Sequence, residues 1–520
     1  MTLQWRMEWS WAGESGTVYG IDPQWVQRAS LYSSDAGFRS VTVRFLPGVS
    51  VASLVQAGHQ PMSGTSTIYA GDEEVAFGTW QDVEYGADDE PVTVRIIASE
   101  DADYARLPVA GDIYRTDRRE AARRLARAVK SFTGNPLALL SQRKSVSYRR
   151  FVDSTLRAQG AAYPMVWGAP GDADTPGSPG LLVDTTSSPR RLMIAGHRVS
   201  ATTVTIWGPT YATASGTAAS DALTSQSGRT VLHDEDAAGS VYAYVEFDSA
   251  FTVDTGQVAP YPDRQFFVSW TGGDALPGGA GDVLIALYGA STLDVDMQAW
   301  SAARSLLNRW RLDGYISQFV TPSELARSAI MPALPIQTAV GPRGIRPVVW
   351  PWLDASLSAP VRRLEAGPGF VRAGGVRYAG EPLASCVVRY AYTGDTVEAT
   401  REAELPAEMT PYGRAMLSSV GAAGKSEEIE ASWVWDDATA LDLAASRLRV
   451  LGLPRREVRY LCDPDTYGPG GVLELSVGAE VTITDADLAL SSAVAVISEI
   501  EQTPTEMSVV LHLRDDPLRG

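Results

Sequence analysis

The stretch "PVTVRIIAS", Pro91 to Ser99, decides how this chain is read. Val92, Val94 and Ile96 fall on one side of an extended backbone and Thr93 and Arg95 on the other, the period-two alternation of a strand with one buried face. "VTVRFL", Val41 to Leu46, alternates in the same way. Over the 520 residues the apolar positions recur in short runs of this kind more often than in long helical stripes, and 47 glycines and 31 prolines punctuate them. The expectation is a mainly β, multidomain protein, with β-barrel or β-sandwich domains and a few connecting α-helices. A chain this long exceeds one ordinary core, and a hydrophobic content of 45% can fill several.

Three segments have helical spacing. In the first, Asp117 to Lys130, Asp117 and Glu120 form a capping-box-like start and Ala122, Leu125 and Val129 an apolar stripe. Its basic face, Arg119, Arg123, Arg127 and Lys130, reads as a salt-bridged surface, because the preceding "DVEYGADDE" supplies carboxylates. The second, Asp294 to Tyr315, places Val295, Trp300, Ala303, Leu306, Leu307 and Trp310 at helical intervals, with both tryptophans packing between domains. The third is capped by Asp436, carries Leu441, Ala444, Leu448 and Leu451 as its stripe, and stops at Gly452 and Pro454. "WGAPGDADTPGSPG", Trp167 to Gly180, reads as a loop at a domain edge, and the Ser/Thr/Ala-rich Gly208 to Gly228 as a long flexible loop. The expected units are an N-terminal β-barrel-like domain (1–115), a helical connector (116–164), a β-rich domain carrying the long loop (165–290), a helix with a proline-rich connector (291–360), and a C-terminal β-barrel-like domain containing helix 436–451 (361–520).

Apparent catalytic signatures come apart on inspection. Gly424-Lys425-Ser426 ends like a phosphate-binding loop, but Ser419 stands where a glycine is needed, and "EEIEASWVW" after it alternates like a strand. "TGGDALPGGAGD", Thr271 to Asp282, reads as a loop without the helix that would aim N–H groups at a dinucleotide. In Gly13-Glu14-Ser15-Gly16, Thr17 occupies the position of the second glycine of a nucleophile elbow. His59, His197, His233 and His512 are scattered, and Asp234, Glu235 and Asp236 lack the spacing of a calcium loop, so "LHDED" reads as a solvated turn. Cys386 and Cys462 complete no metal or iron–sulfur set and are expected to be reduced and buried. No catalytic, cofactor-binding or metal residue is assigned, no cofactor is expected, and the chain is not read as an enzyme.

The formal charge of −18 disfavours non-specific contact with nucleic acid or anionic lipid. "MTLQWRMEWSW" carries Arg6 and Glu8 where an export signal would be apolar, and no run approaches 18 uncharged apolar residues. A protein made in the cytoplasm, without stable membrane binding, is expected.

The last third carries a resemblance. A helix bearing alanine and arginine (Asp436 to Leu451) is followed by a strand, then by "LELSVGAEVTITDADLAL" with Gly478, Glu480, Val481 and Ile483, then by a hairpin of Val494 to Glu501 and Met507 to Leu513. That order resembles the end of tail hub (baseplate hub) proteins of long-tailed bacteriophages. "GDVLIALYGASTLDVDMQAWSAARSLLNRWRLDGYI" with "MPALPIQ", and "LLVDTTSSPRRLMIAGHRVSATTVTIWG", are similar to the same family. The resemblance implies a structural virion protein assembled in the host cytoplasm. Its ring would join the tail tube to the tail tip and let DNA pass during ejection after host attachment. It implies a homotrimer whose two barrels per chain make a pseudo-sixfold ring, with a hexamer as the other arrangement. Implied partners are a distal tail or tube protein, a tail-tip or fibre protein and a tape-measure protein, with DNA only in transit. Some hubs hold an iron–sulfur cluster, which two cysteines do not provide for. Two readings remain beside it: a carbohydrate-binding or carbohydrate-cleaving tail protein using tryptophans and a carboxylate pair, and a distal tail adaptor ring. If a ring forms, the final hairpin is expected to offer it a free sheet edge.

Overall fold

The computed structural model describes residues 5–12, 18–20, 24–34, 38–45, 65–84, 93–99, 164–184, 190–210, 220–235, 241–247, 266–316, 320–341, 344–350, 362–379, 383–392, 399–406, 414, 425–452, 455–468 and 471–514. It is mainly β. The expected helix at Asp117 to Lys130, His59, Ser15 and Asp236 lie outside the described residues.

The first strands are β1 (Trp5–Ala12), β2 (Val18–Gly20), β3 (Gln24–Ser34), β4 (Phe38–Phe45), β5 (Thr65–Ala70), β6 (Glu73–Glu84) and β7 (Thr93–Ser99). Antiparallel ladders run β1–β5–β6–β7–β4–β3, and β3 returns to β1 through Arg6 opposite Trp25 and Met7 opposite Gln24. Among the described residues this closes a six-stranded barrel, with β2 added outside on β1. The alternation that the sequence shows is realised: Val41 and Val43 are buried while Thr42 and Arg44 are exposed. Likewise Trp5 and Met7 enter the core beside Ile68.

Next come β8 (Met165–Val166), β9 (Ser178–Asp184), β10 (Arg190–Ala195), β11 (Thr203–Thr210), β12 (Ser220–Thr230), β13 (Leu232–Glu235), β14 (Val241–Phe247) and β15 (Phe266–Trp270). Seven of them form one antiparallel sheet, in the order β12-β11-β15-β9-β10-β14-β13, over a core that includes Leu192, Ile194, Val204, Val245 and Val268. The Ser/Thr/Ala-rich stretch departs from its expectation as a flexible loop. Most of its described part is β12, laddered to β11 from Thr203–Thr230 to Thr210–Ser220, because serine and threonine suit a half-exposed strand as readily as a loop.

A helical layer follows: α1 (Ala280–Ala290) and α2 (Met297–Leu307), then β16 (Tyr315–Ile316), β17 (Ile336–Gly341) and β18 (Gly344–Val349). Helix α1 is an addition to the sequence reading; "AGDVLIALYGA" is apolar on nearly every side, so it shows no stripe, and it is buried accordingly. The second helix is shorter than Asp294 to Tyr315. Asp296 caps its start by accepting the Ala299 N–H at 3.0 Å, and Asn308 ends it. Trp310 therefore lies beyond the helix, although it and Trp300 are both fully buried in one core. Trp300 stacks on Tyr288 at 4.6 Å and donates its Nε1–H to the Ile345 carbonyl at 3.2 Å.

The remaining elements are β19 (Arg362–Glu365), β20 (Phe370–Arg372), β21 (Arg377–Ala379), β22 (Leu383–Tyr392), β23 (Ala399–Pro406), β24 (Lys425–Glu430), α3 (Asp437–Leu451), β25 (Arg455–Cys462), β26 (Glu480–Asp485), β27 (Leu490–Gln502) and β28 (Met507–Arg514). They divide by core. The three-stranded sheet β23-β22-β24 and α3 pack with α1 and α2, burying Cys386, Val388, Ile429, Leu443 and Leu448 together with Trp300 and Trp310. Asp436 caps α3 as expected, accepting the Thr439 N–H at 2.8 Å. Its buried face runs through Ala440, Leu443, Ala444, Arg447 and Leu448, whereas Leu441 points outward.

The other strands form a second barrel-like unit in the order β20-β25-β28-β27-β26-β19, with β21 extending along β25. A tight turn joins β19 to β20, Gly367 and Phe370 exchanging N–H···O bonds at 3.0 Å. Its core holds Phe370, Tyr460, Ile483, Ile497, Val509 and Leu511.

Candidate assembly surfaces

The two barrels share a ladder. Strand β27 runs alongside β28 from Ala495 to Gln502, but its other side changes partner: Ala493–Val496 pair with β26, and Glu499–Gln502 pair with Leu31–Ser34 of β3. The switch coincides with a register shift between Ile497 and Glu499 in the ladder to β28. There Ser498 donates its hydroxyl to the Val510 carbonyl at 3.2 Å. A bulge increases local twist and bends a strand, which is what one strand needs to serve two barrels. The expectation of a free edge on the final hairpin is thereby corrected. Strand β28 lies between β27 and β25, and β27 is flanked by β28, β26 and β3, so neither is an edge strand.

A polar seam ties the seven-stranded sheet to the helical layer. Gly168, in a left-handed conformation (φ +64°), lets the backbone pass Asp313 so closely that a Cβ would lie 2.2 Å from Oδ1. The buried Asp313 carboxylate accepts the Ala169 N–H at 2.7 Å and an Arg311 Nε–H at 3.2 Å, and Arg311 also pairs with Asp274. Burial pushes the Asp313 carboxyl above the usual range, opposed by the Ala169 N–H and the Arg311 charge. Close by, the Arg401 guanidinium bridges Asp172 at 2.6 Å and Asp437 at 3.3 Å. Asp437 accepts the Tyr390 hydroxyl at 2.8 Å, and burial followed by that bond raises the Tyr390 pKa to about 12. The sequence reading pairs none of these six charged groups and counts Asp437 only as part of a helix. Arg311 and Asp313 are two residues apart, but Asp172, Asp274, Asp313 and Arg401 are far apart in the chain, and no spacing rule connects them.

The sequence candidates fall elsewhere. Lys425 and Ser426 begin β24 and pair in parallel with β22, so this segment is a strand, as read. A helix does follow Thr271 to Gly279, contrary to expectation, but its first turn is already filled. Asn308 Oδ1 accepts the Asp282 N–H at 3.1 Å, and Asn308 crowds Gly279 and Gly281. Leu232–Glu235 is an edge strand and not a turn, with Asp234 3.7 Å from Arg191 and hydrogen-bonded to Tyr242. His197 and His233, unrelated in sequence, sit near each other. Nε2 of His197 accepts the Val166 N–H at 3.1 Å, and Nε2 of His233 accepts the Val199 N–H at 3.2 Å. Burial lowers both pKa values, and the two rings' proximity adds to the shift for His197. His512 lies 3.1 Å from Glu457. Cys386 and Cys462 are free, buried thiols whose pKa values burial lifts to about 12. Among the described residues no three His, Cys, Asp or Glu gather as a metal set would, and no helix is long and apolar enough to cross a membrane.

No family profile and no curated protein matches the chain. Solved structures overlay it loosely. The 43 kDa tail protein of prophage MuSo2 from Shewanella oneidensis is 10% identical, with 99% of this chain and 98% of that one covered and a TM-score of 0.39. The tail protein from Neisseria meningitidis MC58 is 8% identical, with 98% and 97% covered and a TM-score of 0.39. A chain of the virion of the native gene transfer agent particle is 15% identical, with 72% and 88% covered and a TM-score of 0.38. Overlays this loose carry no argument about role, which has to rest on the chain's own residues.

Proposed function

We propose that this chain is a structural, non-catalytic tail subunit, a hub that forms a ring between the tail tube and the tail tip. The observation that carries the reading is the pair of six-stranded barrel units held side by side by the β3–β27 ladder. Two barrels locked in one chain let three copies present six similar units, which is the pseudo-sixfold ring that the sequence resemblance implies. A shared ladder suits that duty better than a flexible linker, since it fixes the spacing of the two units before assembly. The buried seam at Asp313 and the helical core behind it support the same reading: charged groups are spent on holding units together.

In this assignment the ring-forming units are the β1–β7 barrel and the β19–β21, β25–β28 barrel. The seven-stranded sheet at 165–275 and the helical layer project from them toward a tube, tip or fibre partner. Electron microscopy of the purified full chain tests it. Closed rings of three chains with six lobes are the expected particles; a stable monomer at high concentration, or a hexamer of one barrel per lobe, overturns the trimeric hub. The absence of enzymatic work is tested separately: Lys425→Ala should change neither assembly nor nucleotide hydrolysis, and a loss of ATP turnover in that variant overturns the non-catalytic assignment.

A further inference from the structure

The hairpin β17–β18 buries apolar groups on both of its faces. Its register sets Ile336 opposite Val349 and Val340 opposite Ile345 on one face, and Gln337 opposite Val348 and Ala339 opposite Arg346 on the other. The faces enter different cores. Ile336, Val340 and Ile345 belong to the helical core with Trp300, whereas Ala339 and Val348 belong to the core of the second barrel with Ile497 and Leu511. A two-stranded hairpin is marginal on its own in water, so this one is ordered by the two bodies it is wedged between.

Each face is also bonded to its side. Toward the helical layer, Ile345 donates its N–H to the Asp294 carbonyl at 2.7 Å, and its own carbonyl accepts the Asp296 N–H at 3.0 Å and the Trp300 Nε1–H at 3.2 Å. Toward the second barrel, Arg346 donates to the Val477 carbonyl. Next to it Gly478, in a left-handed conformation (φ +78°), approaches Val348 so closely that a Cβ would lie 2.5 Å from Cγ2. Gly478 in turn donates its N–H to the Ile497 carbonyl at 2.7 Å, and Ile497 donates its own to the Ala479 carbonyl at 3.1 Å. Ile497 stands at the register shift where β27 passes from β26 to β3. Strand β17 also runs beside β3 and β4 of the first barrel. A continuous path of packed and hydrogen-bonded groups therefore leads from Trp300 to the junction of the two barrels.

We propose that the β17–β18 hairpin is a relay that carries displacements of the helical layer to the barrel junction and so couples that layer to the spacing of the barrels. Packing on both faces leaves the hairpin little room to yield, so a shift at α2 moves Val348 against Gly478 and bears on β27 at Ile497. A load on the helical layer is thereby felt at the junction without any contact there. The inference goes beyond the ring reading, and its test needs no ring, so the two stand or fall separately.

Native-state amide hydrogen exchange on the full chain, read peptide by peptide, tests it. Trp300→Phe removes the bond to Ile345 and keeps an aromatic ring, and it should speed exchange in 477–479 and 495–502 at least about threefold. Far-UV circular dichroism and exchange in 65–70, on the first barrel away from the path, should not change. Met297→Ala, a smaller cut in the packing of α2, should give the same pattern if the phenylalanine chain folds poorly. Val348→Ala empties the contact with Gly478, so adding Trp300→Phe or Met297→Ala to it should leave 477–479 and 495–502 as they are in Val348→Ala alone. Faster exchange confined to 280–307, faster exchange that includes 65–70, or a junction response that survives Val348→Ala overturns the relay.

Discussion

The Asp313 carboxylate accepts the Ala169 backbone N–H at 2.7 Å across 144 residues of chain. It fastens the entry to the seven-stranded sheet onto the segment that follows α2, where Asp313 itself donates its N–H to the Trp433 carbonyl at 2.6 Å. Three stretches distant in sequence thus meet at one aspartate.

Asp313→Ala would leave the buried Ala169 N–H without its acceptor and remove one of the two carboxylates that hold Arg311, and should cost about 2 kcal/mol of unfolding free energy. Asp313→Asn keeps an oxygen for Ala169 and loses only the charge, so it should cost less. Urea denaturation of both variants checks the order, and equal costs would show that the carboxylate's charge contributes nothing.

Acid should loosen the seven-stranded sheet through His197 and His233. Each accepts a backbone N–H on Nε2, which a protonated ring cannot do, and each has a folded pKa below the ordinary 6.5. Above about pH 6.5 both rings are neutral in folded and unfolded chains, and their stabilising bonds are fully present. As pH falls below that value the unfolded chain binds protons first, and stability drops by up to about 1.4 kcal/mol per pH unit for each histidine until the folded pKa is passed. Urea midpoints between pH 7.5 and pH 5 should fall for the parent and fall less for the His197→Gln, His233→Gln chain. Parallel curves would refute the assignment.

The two thiols should be silent in the native protein. With pKa values raised to about 12 by burial, Cys386 and Cys462 hold almost no thiolate at neutral pH. A thiol reagent should find little reaction until denaturant is added and then two groups per chain; rapid native labelling of either would contradict the buried placement.

Removing everything after Thr503 deletes β28 and with it Met507, Val509, Leu511 and Leu513, all core residues of the second barrel. That truncation should abolish cooperative unfolding of the barrel and yield aggregated protein, because β25 and β27 each lose a ladder partner. Recovery of a soluble chain with undiminished β content would show that the strand is dispensable.

Much of the architecture was legible wherever the signal is local. Val41 and Val43 alternate with Thr42 and Arg44 as strand periodicity requires, and Asp436 announces the start of α3. Legibility failed where packing, not pattern, decides. "AGDVLIALYGA" has no polar face to reveal a period, so α1 passed unnoticed. In α3, alanines, Ser446 and Arg447 line the buried side, so Leu441 looked like part of a stripe that it does not join. The assembly features were the least readable: nothing near Leu31–Ser34 names Glu499–Gln502 as its partner, and nothing near Asp172 names Arg401. Such pairings are chosen by the closed barrel and the packed seam as wholes.

The partner switch in β27 also sets a timetable. A ribosome delivers β3 long before residues 499–502, so the ladder between them must wait until the seven-stranded sheet, the helical layer and most of the second barrel have been made. Until then the first barrel stands alone, without the neighbour that fixes its spacing. A chain cut short of Gln502 therefore lacks half of that ladder, and synthesis itself decides which chains hold the two units in register.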